Sequence, residues 1–216
     1  MAFRAVVAIP IVATALALVG CVTTSMQGYA DLQPPARPIQ HIAAIAPPGL
    51  VPALYSEAAK RGVMLEDANV ILPPTRQYNE ADVRQAMAAH GVDGVLVVNV
   101  VGDTGVQQQY AGTVSNTTYS GSSSGSAMVV GNMIYGTGSS SGRATTTSTP
   151  MYRYNRAVTF EARLSDPQTS RKLWVGSGQT QSGGALFVGN SVTASNAAAS
   201  IFTDLQAKGL VGASGA

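Results

Sequence analysis

Val92-Asp93-Gly94-Val95-Leu96-Val97-Val98-Asn99-Val100-Val101 is a nearly unbroken apolar run rich in β-branched residues, and its reading decides how the rest of the chain must be arranged. The Val content favours strand over helix. The lack of a polar residue at every second position predicts a strand covered on both faces, near the centre of a sheet. The residues before it predict a helix. Asn79 is the cap, Glu80 and Asp82 lie in the first turn, Val83, Ala86, Met87 and His90 share one face, and Gly91 is the stop.

Working outward, residues 39–47 (IQHIAAIAP) read as a first strand ended by Pro47-Pro48. Residues 52–61 read as a helix stopped at Gly62, and residues 69–72 as a short strand closed by Pro73-Pro74. Downstream, Val158, Phe160, Ala162 and Leu164 alternate with Thr159, Glu161 and Arg163, the period of a strand with one buried face. Asp166-Pro167-Gln168-Thr169 turns the chain, and residues 172–180 return as the partner strand. Ser195 is the expected cap of a last helix reaching Lys208, with Ile201, Phe202 and Leu205 inward and Gly209 as its stop. The expected fold class is α/β (an α+β sandwich), a single mixed β-sheet of about five strands with about three helices packed on it.

Residues 112–149 interrupt this pattern. They are Ser, Thr and Gly with one charge, Arg143, and Gly-Ser-Ser-Ser-Gly occurs at both 121–125 and 138–142. Between the copies lies Met128-Val129-Val130-Gly131-Asn132-Met133-Ile134-Tyr135, where Gly131-Asn132 suits a hairpin turn. Two alternatives stand for the excursion 107–150: a disordered loop or a long β-hairpin. Gly-Ser-Ser-Ser-Gly also fits the nucleophile-elbow pattern, but no apolar strand leads into either copy, so both read as Ser/Gly linker sequence.

Charged residues make up 11% of the chain, against about 25% in an average globular protein. The 13 basic residues are scattered, with no run longer than Lys60-Arg61 or Arg171-Lys172, which argues against nucleic-acid binding. The single cysteine allows no internal disulfide. His41 and His90 are the only histidines, and no spacing of Cys, His, Asp or Glu suggests a ligand set, so no metal and no cofactor are expected. Asp103 and Asp166 read as turn residues and Trp174 as core. Tyr152, Arg153, Tyr154 and Arg156, at the base of the excursion, form an aromatic–basic patch suited to contact with a partner, a glycan or lipid head groups.

The amino terminus carries an address. Arg4 is followed by an uncharged, mostly apolar stretch over residues 5–18, too short for the roughly 20 residues of a membrane span. Leu18-Val19-Gly20-Cys21 resembles the lipobox of bacterial lipoproteins. The resemblance implies a signal peptide over residues 1–20, with Leu18, Val19 and Gly20 recognised by the signal peptidase. It implies palmitate-type acylation of Cys21, with a diacylglycerol on the thiol and a third acyl chain on the new amino group. Two or more chains give stable membrane anchoring. Val22, where an Asp would mark inner-membrane retention, implies a lipid-anchored outer-membrane protein facing the periplasm. Residues 21–38, with Pro34, Pro35 and Pro38, read as a lipidated Pro-rich tether, and residues 39–216 as a single α/β domain carrying the insert 112–149.

The run from His90 to Val98, followed by Leu164-Ser165-Asp166-Pro167-Gln168-Thr169-Ser170-Arg171-Lys172-Leu173-Trp174-Val175-Gly176, resembles small bacterial periplasmic and outer-membrane lipoproteins with a curli-secretion-channel-like α/β domain. It also resembles lipoprotein activators of cell-wall synthases. The match spans roughly residues 39–210 without the Gly/Ser insert. It departs in carrying Ser170-Arg171 where the family often has a single Gly. The resemblance implies a non-enzymatic accessory or adaptor in envelope assembly or secretion, with no catalytic residue to carry over and an envelope protein as partner. The alternative is a subunit of an oligomeric outer-membrane secretion channel that uses the 107–150 excursion, which would make the chain a homo-oligomer. An enzyme acting on glycan or lipid would need Asp93, Asp103 and Glu161 gathered in one pocket.

Overall fold

The computed structural model describes residues 21–130, 133–184 and 189–212. The chain forms β1 (Cys21–Ala30), β2 (His41–Ile45), α1 (Val51–Ala59), β3 (Met64–Asp67), α2 (Ala68–Ile71) and α3 (Glu80–Ala89). β4 (Gly94–Asp103), β5 (Gln107–Val130), β6 (Met133–Ser165), β7 (Lys172–Gly184) and α4 (Asn190–Ala207) follow. Among the described residues this is one mixed sheet of seven strands in the order β1-β7-β6-β4-β2-β3, with β5 paired to β6. β2 runs parallel to β3 and β4, whereas β4–β6, β6–β7 and β7–β1 are antiparallel. The chain divides into two compact units, one from the residues up to Gln108 together with those from Tyr154 on, the other Gln109–Arg153.

In the first unit, α1 and α4 cover one face of the sheet, where Ile42, Leu54, Leu96, Phe160, Leu164, Trp174, Ile201 and Phe202 are almost wholly buried. Arg61 ties the two helices together. It donates to Glu57 Oε2 (2.6 Å), Thr203 Oγ1 (3.1 Å) and Gln206 Oε1 (3.2 Å), and its guanidinium lies 5.8 Å from the Phe202 ring. On the other face a smaller cluster of Ala43, Ala68, Ile71, Met87 and Val92 sits under α2 and α3. α3 starts in a capping box, Asn79 accepting from the Asp82 N–H and Asp82 from the Asn79 N–H, and Gly91 leaves it at φ +66°.

Five expectations are corrected. The sheet has more strands than about five because β1 and β5 join it. β1 occupies residues read as tether: Cys21–Ala30 pairs with β7 along its whole length. The residues after it are pinned too, through Arg171 to Asp31 and Gln33 and through Arg37 to Asp93 (3.1 Å). Residues 69–72 are not a strand. Asp67 caps one helical turn there, accepting from the Asn69 N–H at 2.9 Å, and the strand lies earlier, where β3 pairs with β2. Ser195 is not a cap, because α4 begins at Asn190 and Ser195 falls inside it. β4 is covered on both faces only in its first half. From Asn99 its side chains are largely exposed, and on the α2–α3 face the cluster under those helices reaches β4 only at Val95.

The core depends on glycines placed under aromatic rings. Trp174 is 1% exposed and donates Nε1–H to Asp204 Oδ2 at 2.7 Å. Its ring lies over Gly28 and Gly176, cross-strand partners in β1 and β7, and Phe160 lies over its own partner, Gly178. A β-carbon at any of the three would stand 2.5 Å or less from a neighbouring atom.

In the second unit, β5 and β6 form the hairpin alternative for the excursion. Ser115 faces Ser148 and Thr117 faces Thr146, each hydroxyl pair 2.9 Å apart. Gly131 and Asn132, the expected turn, lie outside the described residues.

Candidate functional site

Cys21, Asp103 and Arg156 lie at the end of the first unit's sheet where the strands that lead into the hairpin pass. Cys21, the first residue of β1, is exposed and lies opposite Gly183. It lines a cleft of 350 Å³ with Thr23, Thr104, Gln107, Asn155, Arg156 and Ala157. The residue read as the acylation site therefore shares a cleft with Gln107 of β5 and Asn155 of β6, with β7 lying between β1 and β6 in the sheet. Leu18, Val19 and Gly20 lie outside the described residues.

Arg156 borders this cleft and also an apolar pocket of 210 Å³ formed by Leu50, Val158, Phe160, Ala194 and Ala197. Its guanidinium is committed internally. It donates Nε–H to Asp103 Oδ1 at 2.9 Å, a second bond to Asp103 Oδ2, and a third to Asn190 at the start of α4. Arg156, followed by the Gly105 N–H (2.9 Å), holds the Asp103 carboxyl down at about 2, and Asp103 in turn raises Arg156. Arg156 is thus not a free cation of a contact patch: its side chain is 16% exposed. The other three patch residues are divided between the units. Tyr152 and Arg153 are exposed in the second, where Tyr152 meets Tyr110 edge-on with ring centroids 6.2 Å apart, and Tyr154 is half-buried in the first.

The carboxylates weighed for catalysis are not brought together. Asp93, just before β4, pairs with Arg37, and Asp103, the last residue of β4, pairs with Arg156. Some ten residues of strand, about 33 Å, separate them. Glu161 is exposed on β6 opposite Asn99. Asp166 makes the expected turn, accepting from the Gln168 N–H and the Thr169 hydroxyl. Burial opposes ionisation of Asp166, and those bonds outweigh it and lower its pKa.

One grouping was not legible in the sequence. Glu66 on β3 stands between both histidines, 3.4 Å from His41 Nε2 and 3.3 Å from His90 Nδ1. The pairing of β2 with β3 and the end of α3 assemble it, so no local motif announces it. Among the described residues no group of His, Cys, Asp or Glu is arranged to hold a metal ion. Nor is any described helix long and apolar enough to cross a membrane.

No protein-family model and no curated protein matches the chain. Among solved structures it is similar to a PelC dodecamer from Paraburkholderia phytofirmans and to the dodecamer of its Leu-to-Met point variant. Each match is 16% identical, covers 87% of this chain and 99% of that one, and has a TM-score of 0.41.

Proposed function

We propose that this chain is a membrane-anchored bacterial lipoprotein of the cell envelope, a non-enzymatic accessory or adaptor in envelope assembly or secretion, held by acyl chains on Cys21. The observation that carries the reading is the position of Cys21. It follows a lipobox, is exposed, and stands at the end of the sheet where β5 and β6 run into the hairpin. An acyl chain there would meet no packed core, and it would draw the base of the hairpin to the bilayer surface. The membrane in question is the outer membrane, on its periplasmic side. Mass spectrometry of the mature amino terminus tests this: a triacylated Cys21 is expected, with Cys21→Ala abolishing acylation and membrane retention. An unmodified Cys21 in membrane-derived protein would overturn it.

A second reading, a subunit of an oligomeric outer-membrane channel, is favoured by one observation. β5 and β6 make a hairpin whose outer edges pair with no other described strand, and Arg143 is its only charge between Gln109 and Tyr152. Unpaired edges without charges invite pairing with other strands, and a closed barrel of strands satisfies them in lipid. The mass of the lipidated chain in mild detergent decides between the two. A closed ring of many copies supports the channel, and a monomer or dimer the adaptor.

A further inference from the structure

The hairpin is not uniformly polar. Exposed apolar side chains stand at the end joined to the first unit: Tyr110 (63% exposed), Val114 (50%), Met151 (42%) and Tyr152 (41%), with Arg153 exposed beside them. From Ser115 to Thr118 and from Arg143 to Thr149 the exposed positions are Ser, Asn, Thr and Ala with one Arg. Tyr110 and Tyr152 hold one another edge-on, and the Tyr110 hydroxyl contacts Thr113, so a phenol ring is fixed on each strand. Two tyrosines in contact with each other, with a valine and a methionine on the same stretch of the two strands, are all exposed, more apolar surface than a soluble face calls for.

We infer that Tyr110, Val114, Met151, Tyr152 and Arg153 form a collar that inserts into the head-group layer of a phospholipid membrane, in the leaflet that holds the Cys21 acyl chains. The inference rests on the proposed anchoring at Cys21 and assigns the second contact with the same membrane. Two observations select lipid as the occupant. The first is chemical: Tyr rings with an apolar body and a polar tip, beside a cation and no acid, match the boundary between acyl chains and anionic head groups. The second is distance along the chain. Gln107 and Asn155 line the cleft that holds Cys21, and Tyr110 and Tyr152 are three residues beyond them, no more than about 10 Å of extended strand. A diacylglycerol on Cys21 brings the bilayer surface within that reach. The collar contributes apolar area and one charge, and the acyl chains contribute the firm hold.

The test uses the full mature chain carrying Cys21→Ser, which cannot be acylated, so collar binding is read apart from the anchor. Mixed with vesicles of phosphatidylethanolamine and phosphatidylglycerol, this chain is expected to float with the vesicles. The combined Tyr110→Ser, Met151→Ser and Tyr152→Ser substitutions are expected to lower its partition about tenfold. A second readout is Tyr152→Trp, whose emission is expected to be quenched by lipids brominated near the head group while buried Trp174 is not. Absence of vesicle binding by the Cys21→Ser chain, equal partition of the triple variant, or an unquenched Trp at position 152 would each overturn the collar. Failure of the anchoring reading shows separately, as an unacylated Cys21 in the native protein.

Discussion

Gly28→Ala adds one methyl group to an edge strand, and the structure makes it severe. The new carbon would stand 2.0 Å from Asp204 Oδ2 and 2.4 Å from Trp174 Nε1, the two ends of one hydrogen bond. Neither can move cheaply. Trp174 is wholly enclosed between the sheet and α4, and Asp204 is fixed on that helix. Losing a hydrogen bond to a charged group costs about 1.5–3 kcal/mol, and forcing a methyl into a filled core costs about 1–3 kcal/mol. The expected destabilisation is about 3–5 kcal/mol, with β1 loosened from β7. Trp174 is the only tryptophan, so its emission during urea unfolding reads the affected site directly. Gly49→Ala is the control, since nothing lies within 4 Å of its added carbon, and it should stay within about 0.5 kcal/mol of the parent. Equal unfolding midpoints for the two variants would refute the packing of β1 under Trp174.

Asp103 ionises with its carboxyl held at about 2, below the ordinary aspartate value of 3.8, so its pairing with Arg156 adds stability that is present above pH ~4 and is lost as pH falls toward ~2. With a carboxylate about one-third exposed, Asp103→Asn should cost about 1 kcal/mol at neutral pH, and the gap to the parent should close near pH 2, as urea midpoints across that range would show. A gap that persists at pH 2 would count against the pair. Ser170 adopts φ +58° in the turn after Asp166, the left-handed conformation that costs a side-chain-bearing residue about 1 kcal/mol. After the entropy that glycine adds to the unfolded chain, Ser170→Gly should raise stability by about 0.5 kcal/mol and so lift the thermal midpoint, and a lower midpoint would show the conformation to be unstrained.

Much of this protein could be read locally. The α3 cap, the buried start of β4, the alternation along β6, the Asp166 turn and the stop at Gly209 each depend on residues within a turn or two of one another. Periodicity and capping act at that range, and all five are in the structure. The resemblance of Leu18-Val19-Gly20-Cys21 to a lipobox is equally local, and it supplied the residue on which the proposed function rests. Where only the tertiary structure decided, the deciding partner lay far off in sequence. β1 looked like a tether because its inward face, Val22, Thr24, Met26, Gly28 and Ala30, mixes only two sizeable apolar side chains with a Thr, a Gly and an Ala, a weak apolar signal. The apolar mass belongs to Trp174, whose ring needs that floor left empty. β3 replaced the expected strand at 69–72 because an edge position beside β2 was open to Met64–Asp67, while Asp67 could cap a turn. Arg156 read as a free cation until Asp103, 53 residues away, took it, and Glu66 met both histidines only once two strands and a helix end had converged. A sequence displays short-range order directly, because the residues that pay for it are neighbours. Contacts across a sheet depend on register and on which face is covered, and those are settled only when the whole chain is packed.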